Sequence, residues 1–65
     1  MNLDTIAKTK SLTELETAKK IMVKNGVRPY IEKKGEFYLI RVATARTFAQ
    51  AVKQKNAFDE MYGKI

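Results

Sequence analysis

The stretch VRPYIEKKGEFYLIRV, residues 27–42, decides the fold. Apolar and polar side chains alternate on both sides of Lys34-Gly35, the pattern of two half-buried strands joined by a tight turn. Primed two-residue turns need positive φ, which glycine adopts at no steric cost. With Lys34-Gly35 as the turn, Val27 faces Val42, Pro29 faces Ile40 and Ile31 faces Tyr38, with Lys33 opposite Glu36 beside the turn. The other face then carries Arg28 with Arg41, Tyr30 with Leu39 and Glu32 with Phe37. A sheet with one core face and one open face demands this kind of segregation. Pro29 has no amide hydrogen for a ladder, so its strand belongs at a sheet edge or a bulge.

On the N-terminal side of this hairpin, residues 11–25 read as a helix. Ser11 followed by Glu14 is a capping box: the hydroxyl takes a free amide and the carboxylate reaches back. Leu12, Leu15, Ala18 and Met22 recur near a 3.6-residue period with Ile21 beside them, and Glu16 can pair with Lys20 one turn on. Asn25-Gly26 supplies a left-handed stop. On the C-terminal side, residues 48–62 read as a second helix. Thr47 and Gln50 repeat the capping logic, Phe48, Ala51, Val52, Phe58, Met61 and Tyr62 form an apolar stripe, and Gly63 is the expected stop. Two strands are not stable alone, so Leu3-Asp4-Thr5-Ile6-Ala7 within residues 3–9 is the candidate third strand; the alternative is that residues 1–10 form a loose arm. The expected fold class is α+β: one domain over 1–65, of β-α-β-β-α order, with a small antiparallel sheet and two helices on one of its faces, a truncated ferredoxin-like arrangement.

With 65 residues the chain has room for a small core only, and small cores are often reinforced by disulfides or metals. There is no cysteine and no histidine, so disulfide, zinc and iron–sulfur reinforcement are excluded, and no metal or cofactor is expected. Packing, or burial of a face in a homodimer, must serve instead. The first residues hold no apolar run and no segment is long enough to span a bilayer, so the chain as written is expected to be cytoplasmic and not membrane-bound.

A catalytic site is not expected. The lone serine, Ser11, is spoken for as a cap, and the carboxylates stand among lysines rather than in apolar runs that would raise their pKa. The three glycines are isolated, so there is no phosphate-cradling loop. Binding is the function class that remains. Thirteen Lys and Arg against seven Asp and Glu give a net charge of +6, which favours anionic partners: nucleic acid, an anionic glycan polymer, or an acidic protein surface. The open sheet face brings Arg28, Tyr30, Phe37, Leu39 and Arg41 together, with Lys33 and Lys34 at the basic hairpin tip, and these seven are the candidate ligand-binding residues. Aromatic rings beside arginines suit stacking on sugars or bases, and they suit protein interfaces equally.

Three stretches carry a resemblance to a known family. TAKKIMVKNGV (17–27) is similar to the first helix of the sporulation-related repeat (SPOR) domains, PYIEKKGEFYLIRVATA (29–45) resembles their central hairpin, and RTFAQAV (46–52) falls where their second helix begins. The resemblance implies a β-α-β-β-α-β fold that binds peptidoglycan glycan strands, with Tyr30, Phe37, Leu39 and Arg41 facing the ligand. Thr5 stands where the family has a binding-surface glutamine, Ala43-Thr44-Ala45 replaces its usual glycine, and its fourth strand is largely missing. Three readings stand beside one another: a non-enzymatic interaction protein of unknown partner, such as a small phage- or plasmid-type protein that docks on one host protein, ranked close to a peptidoglycan-binding module, and next a small basic nucleic-acid-binding protein.

Overall fold

The computed structural model describes residues 2–64; Met1 and Ile65, the ends of the expected 1–65 unit, lie outside the described residues. The elements run β1 (Leu3–Thr9), α1 (Leu12–Lys24), β2 (Tyr30–Lys34), β3 (Phe37–Ala43) and α2 (Phe48–Lys64). The three strands form an antiparallel sheet in the order β1-β3-β2, with β3 in the centre. This is the expected α+β class and element order, with residues 3–9 forming a strand rather than an arm.

The hairpin register differs from the expected one. Ile31 pairs with Ile40, Tyr30 with Arg41, Glu32 with Leu39, Lys33 with Tyr38 and Lys34 with Phe37. The turn is therefore Gly35-Glu36, not Lys34-Gly35. Gly35 has φ +61° and among the described residues no non-glycine residue has positive φ, which is the pattern of a type II′ turn with glycine at its first central position. The slip is two residues, so every side chain stays on its expected face while its partner changes. The physical gain is electrostatic. Arg41 no longer opposes Arg28; it sits diagonally across from Glu32, whose Oε2 is 3.1 Å from Nη1. The strand also begins later than expected, so Val27 and Pro29 precede it, and Glu36 pairs with Lys10 at 3.3 Å instead of facing Lys33.

Between Thr5 and Ala7 the β1 register shifts, leaving Ile6 as a bulge. A bulge of this kind lets two consecutive side chains face the same way. Here Ile6 and Ala7 both pack against the core, while Thr5 and Lys8, opposite Arg41 and Leu39, point to the other face. The core itself joins Leu15, Ala18, Ile21 and Met22 of α1, Ile40 and Val42 of β3, Ala57 and Met61 of α2, and Val27 from the connection. Both helices thus cover one face of the sheet, and no element covers the other.

Helix α1 starts as expected at Ser11, whose Oγ accepts the Glu14 amide at 3.2 Å. The returning half of the cap is relayed. Glu14 takes the hydroxyl of buried Thr9 at 2.6 Å, and Thr9 Oγ1 in turn accepts the Ser11 amide at 3.0 Å. At the other end the Val27 amide reaches the Met22 carbonyl (2.8 Å) and the Gly26 amide reaches that of Val23 (3.0 Å), a Schellman closure with Gly26 at φ +78°. Burying Val27 against the core completes that motif and aims the chain at β2. Glu16 pairs with Lys19 (3.6 Å) rather than with Lys20.

Helix α2 starts at Phe48 as expected but departs from expectation in its end and in its buried face. Gly63 does not stop it, since the helix continues to Lys64. Only its second half is core: Ala57 and Met61 are buried and Phe58 packs beside them, whereas Phe48 is 85% exposed and Ala51, Val52 and Tyr62 are also exposed. The sequence stripe is longer than the surface available to bury it, because the sheet and α1 end before the first turns of α2. The helices are clamped by Glu60, which accepts Lys24 Nζ at 2.7 Å and Asn25 Nδ2 at 3.3 Å.

Candidate binding site

The uncovered face is built from alternate residues of all three strands. Phe37, Leu39 and Arg41 of β3 lie along its middle, half-buried by their neighbours. Tyr30, Glu32 and Lys34 of β2 flank them on one side, opposite Arg41, Leu39 and Phe37 respectively. Leu3, Thr5 and Lys8 of β1 flank them on the other, opposite Ala43, Arg41 and Leu39. On β3 strand alternation enforces this composition, since Phe37, Leu39 and Arg41 stand beside Tyr38, Ile40 and Val42, which pack in or against the core.

Cations are laid on the aromatic rings of this face. Lys8 Nζ is 4.9 Å and Lys10 Nζ 5.1 Å from the centre of the Phe37 ring. The Arg28 guanidinium is 5.6 Å from that of Tyr30. Such contacts are attractive by roughly 0.5–1 kcal/mol at exposed sites, which a ligand can exchange for its own. Arg41 is different in kind. Its Nη1 donates to Glu32 of β2 and its Nη2 to the Leu3 carbonyl of β1 at 3.2 Å, so it staples three strands, and its buried Nε has no hydrogen-bond partner.

Of the seven residues expected to bind ligand, the structure brings six together and separates one. Tyr30, Lys34, Phe37, Leu39 and Arg41 share the uncovered face, and exposed Arg28 stands at its end. Lys33 alternates to the helix-covered side, opposite Tyr38 and 5.7 Å from the centre of its ring. Lys33 and Lys34, both expected at the hairpin tip, stand beside the turn on opposite faces of the regularly paired strand β2.

Next to Tyr30 the face runs into a cleft of about 620 Å³ between the α1–β2 connection and the first turns of α2. Arg28, Arg46 and Lys53 line it together with Tyr30, Gln50 and Gln54, and among the described residues no Asp or Glu does. Local capping fixes this wall. Thr47 Oγ1 accepts the Gln50 amide (3.1 Å), Gln50 Oε1 accepts the Arg46 amide (2.8 Å), and Gln54 Nε2 donates to the Ala43 carbonyl (2.7 Å). Sequence reasoning missed Arg46 and Lys53, which are far from Arg28 along the chain and were not read as binding residues.

The described carboxylates are all engaged, and of them only Asp4 reaches a residue that lines the cleft. Glu16, Glu32, Glu36, Asp59 and Glu60 form ion pairs with Lys19, Arg41, Lys10, Lys55 and Lys24. Glu14 accepts from Thr9, and Asp4 Oδ2 accepts the Thr44 hydroxyl at 2.9 Å. Fully exposed Lys55 has its pKa raised above the ordinary 10.5 by its hydrogen bond to, and the charge of, Asp59. Among the described residues no group of three His, Cys, Asp or Glu is placed to hold a metal ion, and no helix is long and apolar enough to cross a membrane. No family model matches the chain, and no curated protein and no solved structure shows a significant match to it.

Proposed function

We propose that this chain is a non-enzymatic binding domain that holds an extended anionic polymer across the uncovered face of its sheet. The observation that carries the reading is the pairing of cations with rings on that face: Lys8 and Lys10 around Phe37, and Arg28 on Tyr30. A ring with a cation at its side offers a polymer two contacts at one point, stacking for a planar or sugar ring and charge for an anionic group. An open cation–aromatic face with no concave acid–base constellation favours binding over turnover. The glycan strands implied by the SPOR resemblance and single-stranded nucleic acid are both polymers of this class.

The test is a titration of the ¹⁵N-labelled protein with three probes, denuded peptidoglycan glycan strands, oligothymidylate and polyglutamate, followed by amide shifts. Saturable shifts centred on Tyr30, Phe37, Leu39 and Lys8, abolished by Phe37→Ala in a protein that keeps its fold, are expected with at least one probe. Shifts confined to the helices, or none with any probe, would overturn the reading. A docking protein partner is the second reading. It is favoured by Phe48 and Val52, exposed apolar residues one turn apart on α2 that a polymer on the sheet does not need.

A further inference from the structure

The cleft beside Tyr30 carries a feature that the sheet face alone does not explain. Arg28, Arg46 and Lys53 converge on it, and none of the three has an ion-pair partner among the described residues, although five of the chain's other cations do. Like charges brought into one concavity repel, and a concave low-dielectric wall strengthens the field they make. The fold nonetheless holds them there. The Lys53 stem lies along Gly26, with Cδ 3.4 Å from the position a Cβ would occupy, so its ammonium is directed along the cleft wall. Arg28 is steadied by the Tyr30 ring, and the Arg46 backbone is fixed by Gln50. That bond uses only the carboxamide oxygen of Gln50, so its NH₂ is left as a further donor.

Two arginines, a lysine and a glutamine lining one cleft supply a donor set for phosphate oxygens, since guanidinium presents a planar fork to such groups. About 620 Å³ holds a nucleotide-sized group. Tyr30 belongs both to the cleft lining and to the uncovered face, so the two form one continuous path. We infer that the cleft holds backbone phosphates of a single-stranded nucleic acid whose bases pass onto Tyr30 and Phe37. This rests on the sheet face being a polymer-binding surface and names the polymer. Stacking on the rings is tolerant of base identity, so the binding is expected to show weak sequence preference.

The test is fluorescence anisotropy of labelled oligothymidylate and oligouridylate with the full chain, titrated between about 50 and 200 mM salt. Three phosphate contacts on a single strand give a log–log slope of roughly −2, a weakening of about twentyfold over that range. Arg46→Gln and Lys53→Gln are each expected to weaken binding several-fold and to lower the slope by about 0.7, with unchanged circular dichroism. Asp4→Asn, which removes the carboxylate bound to Thr44 at the cleft wall, is expected to tighten binding. In the wild-type protein the Gly26 and Arg46 amides are expected to shift with the oligonucleotide, a readout that does not depend on any variant folding. Inorganic phosphate and a mononucleotide serve as competitors. Competition far weaker than by the oligonucleotide is expected for a strand, whereas equal competition would assign the cleft to a free phosphate compound and overturn the inference. Loss of oligonucleotide binding in Phe37→Ala but not in the cleft variants would overturn it while the sheet-face reading stands. Glycan strands or polyglutamate binding as tightly as the oligonucleotide would likewise remove nucleic acid as the polymer.

Discussion

Leu39 and Ile40 are neighbours on the central strand and point to opposite faces, so truncating each in turn measures whether the second face is really open. Ile40 is 1% exposed, opposed by Ala7 on one side and Ile31 on the other, and belongs to the cluster formed with Met22 and Met61. Ile40→Ala removes fully buried carbons and leaves a cavity that the helices above cannot fill, at a cost of about 3–4 kcal/mol. Leu39 is half-buried by its neighbours with nothing stacked above it. Leu39→Ala loses three carbons at roughly 0.8 kcal/mol each when fully buried, halved for its exposure, and leaves no enclosed void, so about 1 kcal/mol is expected. For a domain of this length each kcal/mol moves Tm by about 4–8 °C, so Leu39→Ala should melt some 5 °C below the wild type. Ile40→Ala removes a large share of the total stability, roughly 3–10 kcal/mol for 65 residues, and Ile40→Val, at about 1 kcal/mol, supplies a well-folded companion. The assay is urea denaturation followed by circular dichroism, repeated over a wide range of protein concentration. Equal losses for Leu39→Ala and Ile40→Ala, or a midpoint that rises with concentration, would show that a second copy covers the face and would refute the reasoning.

Thr9→Val keeps the shape of the side chain but strands the Ser11 amide and frees Glu14, so a loss of about 1–2 kcal/mol is expected by the same denaturation assay, larger than for Thr13→Val on the exposed side of α1. Gly35→Ala must place a Cβ at φ +61° and is expected to cost roughly 1–2 kcal/mol although nothing lies within 4 Å of the new atom; an unchanged midpoint would show that the turn is not the one described. The Lys55 pKa is raised in the folded state, so the small stabilisation from its pair with Asp59 is present below pH 10.5 and lost as pH rises through the higher folded value. Asp59→Asn should bring the Lys55 titration, followed by the NMR shift of its side-chain carbon next to nitrogen, back toward 10.5.

The element order was legible because each helix announces its start with a hydroxyl cap and the strands alternate cleanly. The hairpin register was not, and the reason lies in the period of a strand. A slip of one residue exchanges the faces and is betrayed by hydrophobicity, but a slip of two preserves them, so Ile31 pairs equally plausibly with Tyr38 or Ile40 on pattern alone. What separates the two registers is the Arg41–Glu32 ion pair and the placement of Gly35 at the first turn position, a cross-strand effect and a backbone one. The apolar stripe of α2 was misread for a different reason. Periodicity reports what a helix could bury, and how much of Phe48 and Val52 is covered depends on where the sheet ends. For the site, the uncovered face followed from alternation, and the hairpin tip with Lys33 and Lys34 followed from the glycine that marks the turn. The cleft was invisible, since Arg28, Arg46 and Lys53 meet only after the chain has folded back twice.

The order β1-β3-β2 leaves the chain with two free sheet edges, each a row of backbone donors and acceptors that another chain could extend. Each edge carries its own obstacle. On β1 the Ile6 bulge breaks the straight run of amides, and on β2 Pro29 stands just before a strand that continues Glu32-Lys33-Lys34. A neighbouring molecule that tried to add a strand would meet a kink on one side and a row of exposed charges, costly to desolvate, on the other. Concentrating the protein is therefore expected to crowd its copies without fusing their sheets, so that they stay separate beads rather than polymerise into a fibre.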